Sequence, residues 1–274
     1  MSTRLPVKPP DISLTAALTE RSARVVAAAK LQRHTGRRRA GRFLAEGPNL
    51  VEAAARRGLV EEVFATESAA ARHAGLLAGL TVHPVTERAA KALSETVTPA
   101  GLVAVCRVPD TDLGEVLSAG PALLAVAVDL SEPGNAGTLI RLADAMGAAA
   151  MIFSGHSVDP YNGKCLRSSA GSIFSVPVIV ETDTAAVLTA LRAAGLKLLA
   201  TTLDGDVSMD DADALLGEPA AWIFGPEAQG LSPVLAALAD HRVTIPMAGG
   251  AESLNVAAAA AICLYQSARA QRRG

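Results

Sequence analysis

The segment Ala-Leu-Leu-Ala-Val-Ala-Val-Asp at 122–129 places seven apolar residues in a row, without the polar alternation of a strand that has one face in water. Such a run describes a strand covered on both faces, the central position of a parallel sheet. Comparable runs recur at 149–153, 196–202, 220–224 and 242–245, with helical segments between them. Parallel strands need crossover connections, which helices supply. The second half of the chain therefore reads as an α/β domain with a mostly parallel sheet and helices on both faces. In such sheets ligands gather beyond the carboxyl ends of the strands, so the residues just after each run are the ones to read for chemistry.

The first half alternates on a smaller scale. Residues 18–34, LTERSARVVAAAKLQRH, have helical spacing, and RHTGRRRAGR breaks it with two glycines. Strands are expected at 60–66, 80–85 and 101–108, and helices at 50–57, 68–77 and 87–95. This predicts an N-terminal arm and basic helix over 1–42, a smaller α/β domain over 43–108, a polar linker over 109–120 and the larger domain over 121–274.

With 274 residues, half of them hydrophobic, the chain can bury a sizeable core. Its longest apolar run, near 256–265, is about half of the roughly 20 residues that span a bilayer, so no membrane association is expected. The start, MSTRLPVKPPDIS, has prolines where a secretory signal needs an apolar core, and Cys106, Cys165 and Cys263 are isolated. A reducing, cytoplasmic location follows as the expectation. His34, His73, His83 and His241 have no ligand spacing, so no metal is expected. A net charge of −2 gives no global attraction to nucleic acid, but Arg33, Arg37, Arg38, Arg39 and Arg42 cluster with Lys30 and His34. They predict a local basic patch or, equally, a solvated helix end.

Three stretches follow strand ends. In the first, DLSEPGNAGTLIR (129–141), Pro133 and Gly134 make the turn, Asn135 is placed to cap the helix, and Gly137 permits close approach. Arg141 sits in an otherwise apolar segment, where its charge needs a partner: a salt bridge, or a phosphate or ribose. In the second, FGPEAQGLSP (224–233), the glycines have phosphate-loop spacing, but Leu231 stands where that loop needs lysine. This argues against a nucleoside-triphosphatase loop. The absence of Gly-x-Gly-x-x-Gly after any strand argues against the ordinary dinucleotide fold. Glu227 suits the start of the next helix as well as it suits a site. In the third, IPMAGGAESLNV (245–256), a strand stops at Pro246, crosses a loop with a glycine pair and enters a helix through Ser253 and Asn255, which leaves free backbone N–H groups at one point.

Together, NxGxxxR, FGPEAQGLS and IPMxxxxESLNVAAAAAI, in this order, resemble the three motifs of the SpoU (TrmH-like) RNA methyltransferases. The resemblance covers residues 122–269, and FLAEGPNLVEAA with SETVTPAGLVAVCRVP resembles that family's ribosomal-protein-like substrate-binding domain. What it implies is a deep C-terminal trefoil knot, S-adenosyl-L-methionine held in the knot, a homodimer, and methylation of a ribose 2′-hydroxyl. Physics alone would have argued against a knot. Carried over by residue, the resemblance implies cofactor contacts from Thr202, Leu203, Gly205, Phe224, Gly225, Glu227, Gly230, Ile245, Met247, Ser253, Leu254 and Asn255. Catalytic roles would fall to Arg141, Asn135, Glu227, Ser253 and Asn255. RNA contacts would come from Arg33, Arg37, Arg38, Arg39, Arg42 and Arg141.

In the family it resembles, a separate N-terminal domain grips ribosomal RNA, so the resemblance implies 23S ribosomal RNA as substrate, with transfer RNA second. With only eight aromatic residues in the chain, recognition through shape and backbone is expected to outweigh base stacking. His156, Tyr161, Lys164 and Arg167 follow the second strand, where they either face RNA or belong to an ordinary surface loop. Two other classes compete: a non-catalytic RNA-binding protein on the same fold, which has no need for the polar set just named, and an oxidoreductase, which lacks its dinucleotide fingerprint.

Overall fold

The computed structural model describes residues 17–226 and 230–273. It forms two compact units, the first running to Pro109 and including Tyr161–Leu166, the second holding Asp110–Pro160 and everything from Arg167 onward.

In the first unit α1 (Ala23–Ala29), a 3-10 turn (Lys30–Gln32) and α2 (His34–Ala40) precede β1 (Arg42–Glu46), α3 (Pro48–Arg56), β2 (Val60–Ala65), α4 (Glu67–Arg72), α5 (Ala74–Leu77), β3 (Val82–Pro84), α6 (Glu87–Leu93) and β4 (Leu102–Arg107). The sheet order is β1-β4-β2-β3, with β4 antiparallel to both neighbours and β2 parallel to β3. Thr66 and Thr86 end their strands and cap α4 and α6, accepting from Ala69 N and Ala89 N at 3.3 and 3.2 Å.

The unit begins earlier than its strand pattern suggests. Val25, Ala28 and Leu31 pack with Phe64, Val85, Ala89, Leu93, Val103 and Val105, so the helix assigned above to a separate arm is part of the core. Three apolar residues at helical spacing need a partner face, and this small sheet cannot close its core without them. Tyr161, weighed as an RNA-facing residue, is buried here instead, with its ring 4.9 Å from that of Phe43.

Arg37 also corrects an expectation. It is 6% exposed, and its Nη1 donates to the carbonyls of Leu31 and Gln32 at 3.0 and 2.8 Å. Its guanidinium closes the end of the 3-10 turn and is not available to RNA. Arg37→Ala leaves those carbonyls without this donor, and we expect a loss of about 2–3 kcal/mol, read as a lower urea midpoint at unchanged m-value.

The chain continues with α7 (Leu113–Ser118), β5 (Leu123–Val128), α8 (Pro133–Met146), β6 (Met151–Ser154), α9 (Gly163–Ser169), β7 (Val178–Glu181), α10 (Thr184–Ala193), β8 (Lys197–Thr201), β9 (Val207–Ser208), α11 (Asp213–Leu216), β10 (Ala220–Phe224), α12 (Pro233–Ala236), β11 (His241–Thr244) and α13 (Val256–Gln271), all but the start of α9 belonging to the second unit. Its seven strands run β7-β6-β5-β10-β8-β11-β9, every pair parallel. All six residues of β5 and all five of β10 are buried, as strands covered on both faces require. The stretch expected as a linker instead contains α7, whose Leu113, Val116 and Leu117 pack on the core.

The strand order positions the site. From β5 the chain steps outward to β6 and β7, returns to β8 on the other side of β5, and later inserts β10 between them. The carboxyl ends of β8, β10 and β11 are thereby brought side by side, which gathers the segments after Thr201, Phe224 and Thr244. Behind them Trp222 is fully buried and donates through Nε1 to Ser267 Oγ on α13 at 2.8 Å, anchoring the last helix to the central strand.

Candidate active site

Those three segments enclose a cavity of about 580 Å³, within the roughly 300–1,000 Å³ usual for small-molecule and cofactor sites. Its wall carries Thr202, Leu203, Gly225, Gly230, Ile245, Met247, Ser253 and Leu254, all named from the sequence. Gly205 and Phe224 are not among the wall residues. Phe224 is fully buried and stacks on Trp222, so its side chain belongs to the core. Glu227 falls outside the described residues.

Backbone approaches too close for a side chain shape the cavity. A Cβ on Gly205 would sit 2.6 Å from Thr244 N and 2.7 Å from Arg242 O, and one on Gly225 would sit 2.4 Å from Leu231 N. Each glycine lets one loop lie directly on another backbone segment. Thr202 N donates to Val243 O at 3.1 Å and Thr244 Oγ1 to Leu203 O at 3.1 Å, which pins the loop after β8 to β11.

One polar atom on this wall is unsatisfied: Thr202 Oγ1 is buried and has no hydrogen-bond partner among the described residues. Buried hydroxyls are ordinarily bonded, so an orphan lining a cavity marks a place for a ligand's donor or acceptor. Thr202→Val keeps the shape and removes the hydroxyl. We expect about tenfold weaker binding of the ligand with unchanged thermal stability of the free protein, measured by calorimetric titration.

Beside the cavity, Asn255 caps α13, accepting from Ala257 N at 2.9 Å, and donates to Asn135 Oδ1 at 3.3 Å. This bond joins the end of the third motif to the first turn of α8. Asn135 is not the cap of α8: Glu132 is, accepting from Gly134 N at 3.2 Å, with Pro133 at the first helical position, where a missing N–H costs nothing. Before it, Asp129 adopts a left-handed φ of 52° and accepts from His156 N at 2.7 Å, which turns the chain sharply off β5. Arg141 lies further along α8 and is exposed, with no ion pair or hydrogen bond among the described residues. The partner expected for a buried charge is not needed, because the charge faces water.

Of the arginine cluster, Arg33, Arg38 and Arg39 are exposed. Arg42 is half exposed, its Nε 2.7 Å from Glu61 Oε2. All three cysteines are buried and form no disulfide among the described residues; burial first, and then Glu61, pushes the Cys106 thiol up to about 12, and burial raises Cys263 as well. Thiols held protonated are not nucleophiles. No group of side chains suited to a metal ion occurs among the described residues. No described helix is long and apolar enough to cross a membrane.

Residues 122–265 match the SpoU rRNA Methylase family, and residues 22–104 match the MRM3-like substrate binding domain. The chain belongs to the SpoU rRNA methylase family. It is 36% identical over 237 residues to the Bacillus subtilis 23S rRNA (guanosine(2553)-2′-O)-methyltransferase RlmP, covering 86% of this chain and 92% of that one. Among solved structures, the Streptomyces viridochromogenes SpoU methyltransferase AviRb in complex with AdoMet superposes with a TM-score of 0.79 at 32% identity, over 93% of this chain and 99% of that one. A structure described by the 2-OH methylation of C/U34 on tRNA matches at a TM-score of 0.51 and 28% identity, covering 99% of itself but only 57% of this chain.

The substrate-domain match starts at residue 22 and so includes the helix that the sequence pattern set apart. Arg242, Leu231 and Glu252 also line the cavity and were not anticipated. Leu231 and Glu252 stand inside the second and third motifs, although the resemblance assigns them no contact of their own. Arg242 lies inside a strand and carried no signal.

Proposed function

We propose that this protein transfers the methyl group of S-adenosyl-L-methionine to a ribose 2′-hydroxyl of 23S ribosomal RNA, in the cytoplasm and as a homodimer. The observation that carries the reading is the cavity at the carboxyl ends of β8, β10 and β11, with its orphan Thr202 hydroxyl and its Asn255–Asn135 link to the helix of Arg141. The residues present fit the cofactor. Leu203, Ile245 and Leu254 offer apolar surface for the adenine ring, and Thr202 Oγ1 and the backbone around Gly225, Gly230 and Met247 offer polar contacts. When bound, S-adenosyl-L-methionine supplies an electrophilic methyl group on a sulfonium.

The protein's own part is to hold the hydroxyl in line and to stabilise its oxygen as it loses its proton. Arg141 takes that second role as a permanent cation; arginine does not act as a base at accessible pH. Because it is exposed on one chain, its reading as a residue that meets a site completed by a second subunit is physically open to it. Asn135 orients the start of α8, and Ser253, Asn255 and Glu227 hold the loops. The knot implied by the family would fix the crossing of these loops, which agrees with the close backbone approaches at Gly205 and Gly225.

Ribosomal rather than transfer RNA is favoured because the chain carries a substrate-binding domain over 22–104, while the tRNA enzyme structure accounts for little more than half of it. Arg33, Arg38, Arg39 and Arg42 provide phosphate contacts there. Calorimetric titration of S-adenosyl-L-methionine into the purified protein tests the cofactor assignment: one saturable site per chain is expected, and no heat at millimolar ligand would overturn it.

A further inference from the structure

The cofactor loop after β8 is held by a charged device that no motif includes. Arg242, on β11, forks onto the loop: its Nη2 and Nε bond the two carboxylate oxygens of Asp206, the latter at 3.3 Å, and its Nη1 lies 3.5 Å from Asp204 Oδ2. The same arginine lines the cavity, as do Leu203 and Asp204. Between the two aspartates Gly205 rests on the backbone of Arg242 and Thr244, and Thr244 Oγ1 bonds Leu203 O.

These contacts make the Arg242 side chain one of the few holds on the loop that carries Leu203. Leu203 is 69% exposed and gains little from packing, so its place on the wall depends on how its loop is tied down. Hydrogen bonds to β11 tie the loop at Thr202 and Leu203, and strand pairing ties it again from Val207 onward, so between these ties the side-chain hold is the fork on Asp206. Two parallel N–H···O bonds from a planar guanidinium fix orientation as well as distance, which a lysine cannot reproduce.

We infer that Arg242 is a positioning residue for the cofactor, acting through Asp206 to hold residues 202–206 as one wall of the site. This rests on the reading of the cavity as the S-adenosyl-L-methionine site. The arginine has no need to touch the ligand, and the part of its contribution that runs through Asp206 is lost when either end of the fork is removed.

The test is a double-mutant cycle with Arg242→Gln and Asp206→Asn in the full-length protein, with two readouts. Calorimetric titration with S-adenosyl-L-methionine should give about fivefold weaker binding for each single variant and no further loss for the double variant, as expected of one shared interaction. Arg242→Lys should fall between wild type and Arg242→Gln. In the absence of cofactor, amide exchange at 203–206 should speed up in both single variants while β8 and β10 keep their protection. Thermal midpoints are expected to hold, since all three side chains are at least a third exposed.

Wild-type binding and exchange in both variants would overturn the inference. So would a loss confined to the arginine variant, which would mean direct contact with the ligand. If the wild-type protein binds no S-adenosyl-L-methionine, the cofactor assignment fails, while the exchange of the ligand-free loop still reports whether the fork holds it.

Discussion

Arg141→Ala should reduce methyl transfer by at least about 10²–10³-fold and leave cofactor affinity within about twofold of wild type. The two halves of this expectation come from separate observations. Arg141 is absent from the cavity wall, so the cofactor loses no contact. It is exposed and makes no ion pair or hydrogen bond among the described residues, so the fold loses nothing either. An exposed arginine on the helix that begins with Asn135 has work to do only when substrate arrives. A guanidinium stabilises an emerging alkoxide by charge and by directed N–H groups, so Arg141→Lys should recover part of the rate and fall short of wild type. Single-turnover transfer alongside calorimetry separates the steps. Equal loss of binding and transfer would assign Arg141 to the architecture instead.

Gly225→Ala should produce the opposite pattern, a large loss of cofactor affinity. Its Cβ would lie 2.4 Å from Leu231 N, 2.5 Å from Gly230 C and 2.9 Å from Gly230 O, all backbone atoms that have no rotamer to turn away. The loop carrying Gly230 and Leu231 must shift, and both residues line the cavity. Overpacking of this kind costs about 1–3 kcal/mol, which corresponds to roughly 5- to 150-fold in affinity if the strain is released by opening the site. Gly217→Ala is the control. Its Cβ would meet nothing closer than 3.4 Å and its φ is −75°, so binding and stability should be unchanged. Equal effects at the two glycines would remove the special status of the Gly225 crossing.

How much of this was legible in the sequence depended on whether the responsible contacts are local. Runs such as 122–129 and 220–224 announce central parallel strands because burial on both faces suppresses alternation. The strand Val178–Glu181 escaped because it is a sheet edge, short and half exposed, directly after Pro177, and Val207–Ser208 is too short to leave a pattern. The second and third motifs located much of the cavity wall, since their glycines and loop residues are consecutive, whereas the first motif contributes no wall residue. Arg37 and Arg242 were not legible. Among three adjacent arginines, nothing local says which one turns inward to the Leu31 and Gln32 carbonyls. Arg242 reads as an ordinary polar residue of a strand, and its partner is 36 positions away in sequence. Such pairings become visible only when the strands are assembled.

The central claim is ribose methylation of ribosomal RNA, and ribose-methylation mapping tests it most directly. The purified protein is incubated with labelled S-adenosyl-L-methionine and, separately, unmodified 23S ribosomal RNA and transfer RNA. We predict label at a single 2′-position of the 23S RNA and none in the tRNA. Label confined to tRNA would contradict the role given to the first unit, and bound cofactor with no transfer to either RNA, nor to assembled large subunits added as a third substrate, would contradict the enzymatic reading itself.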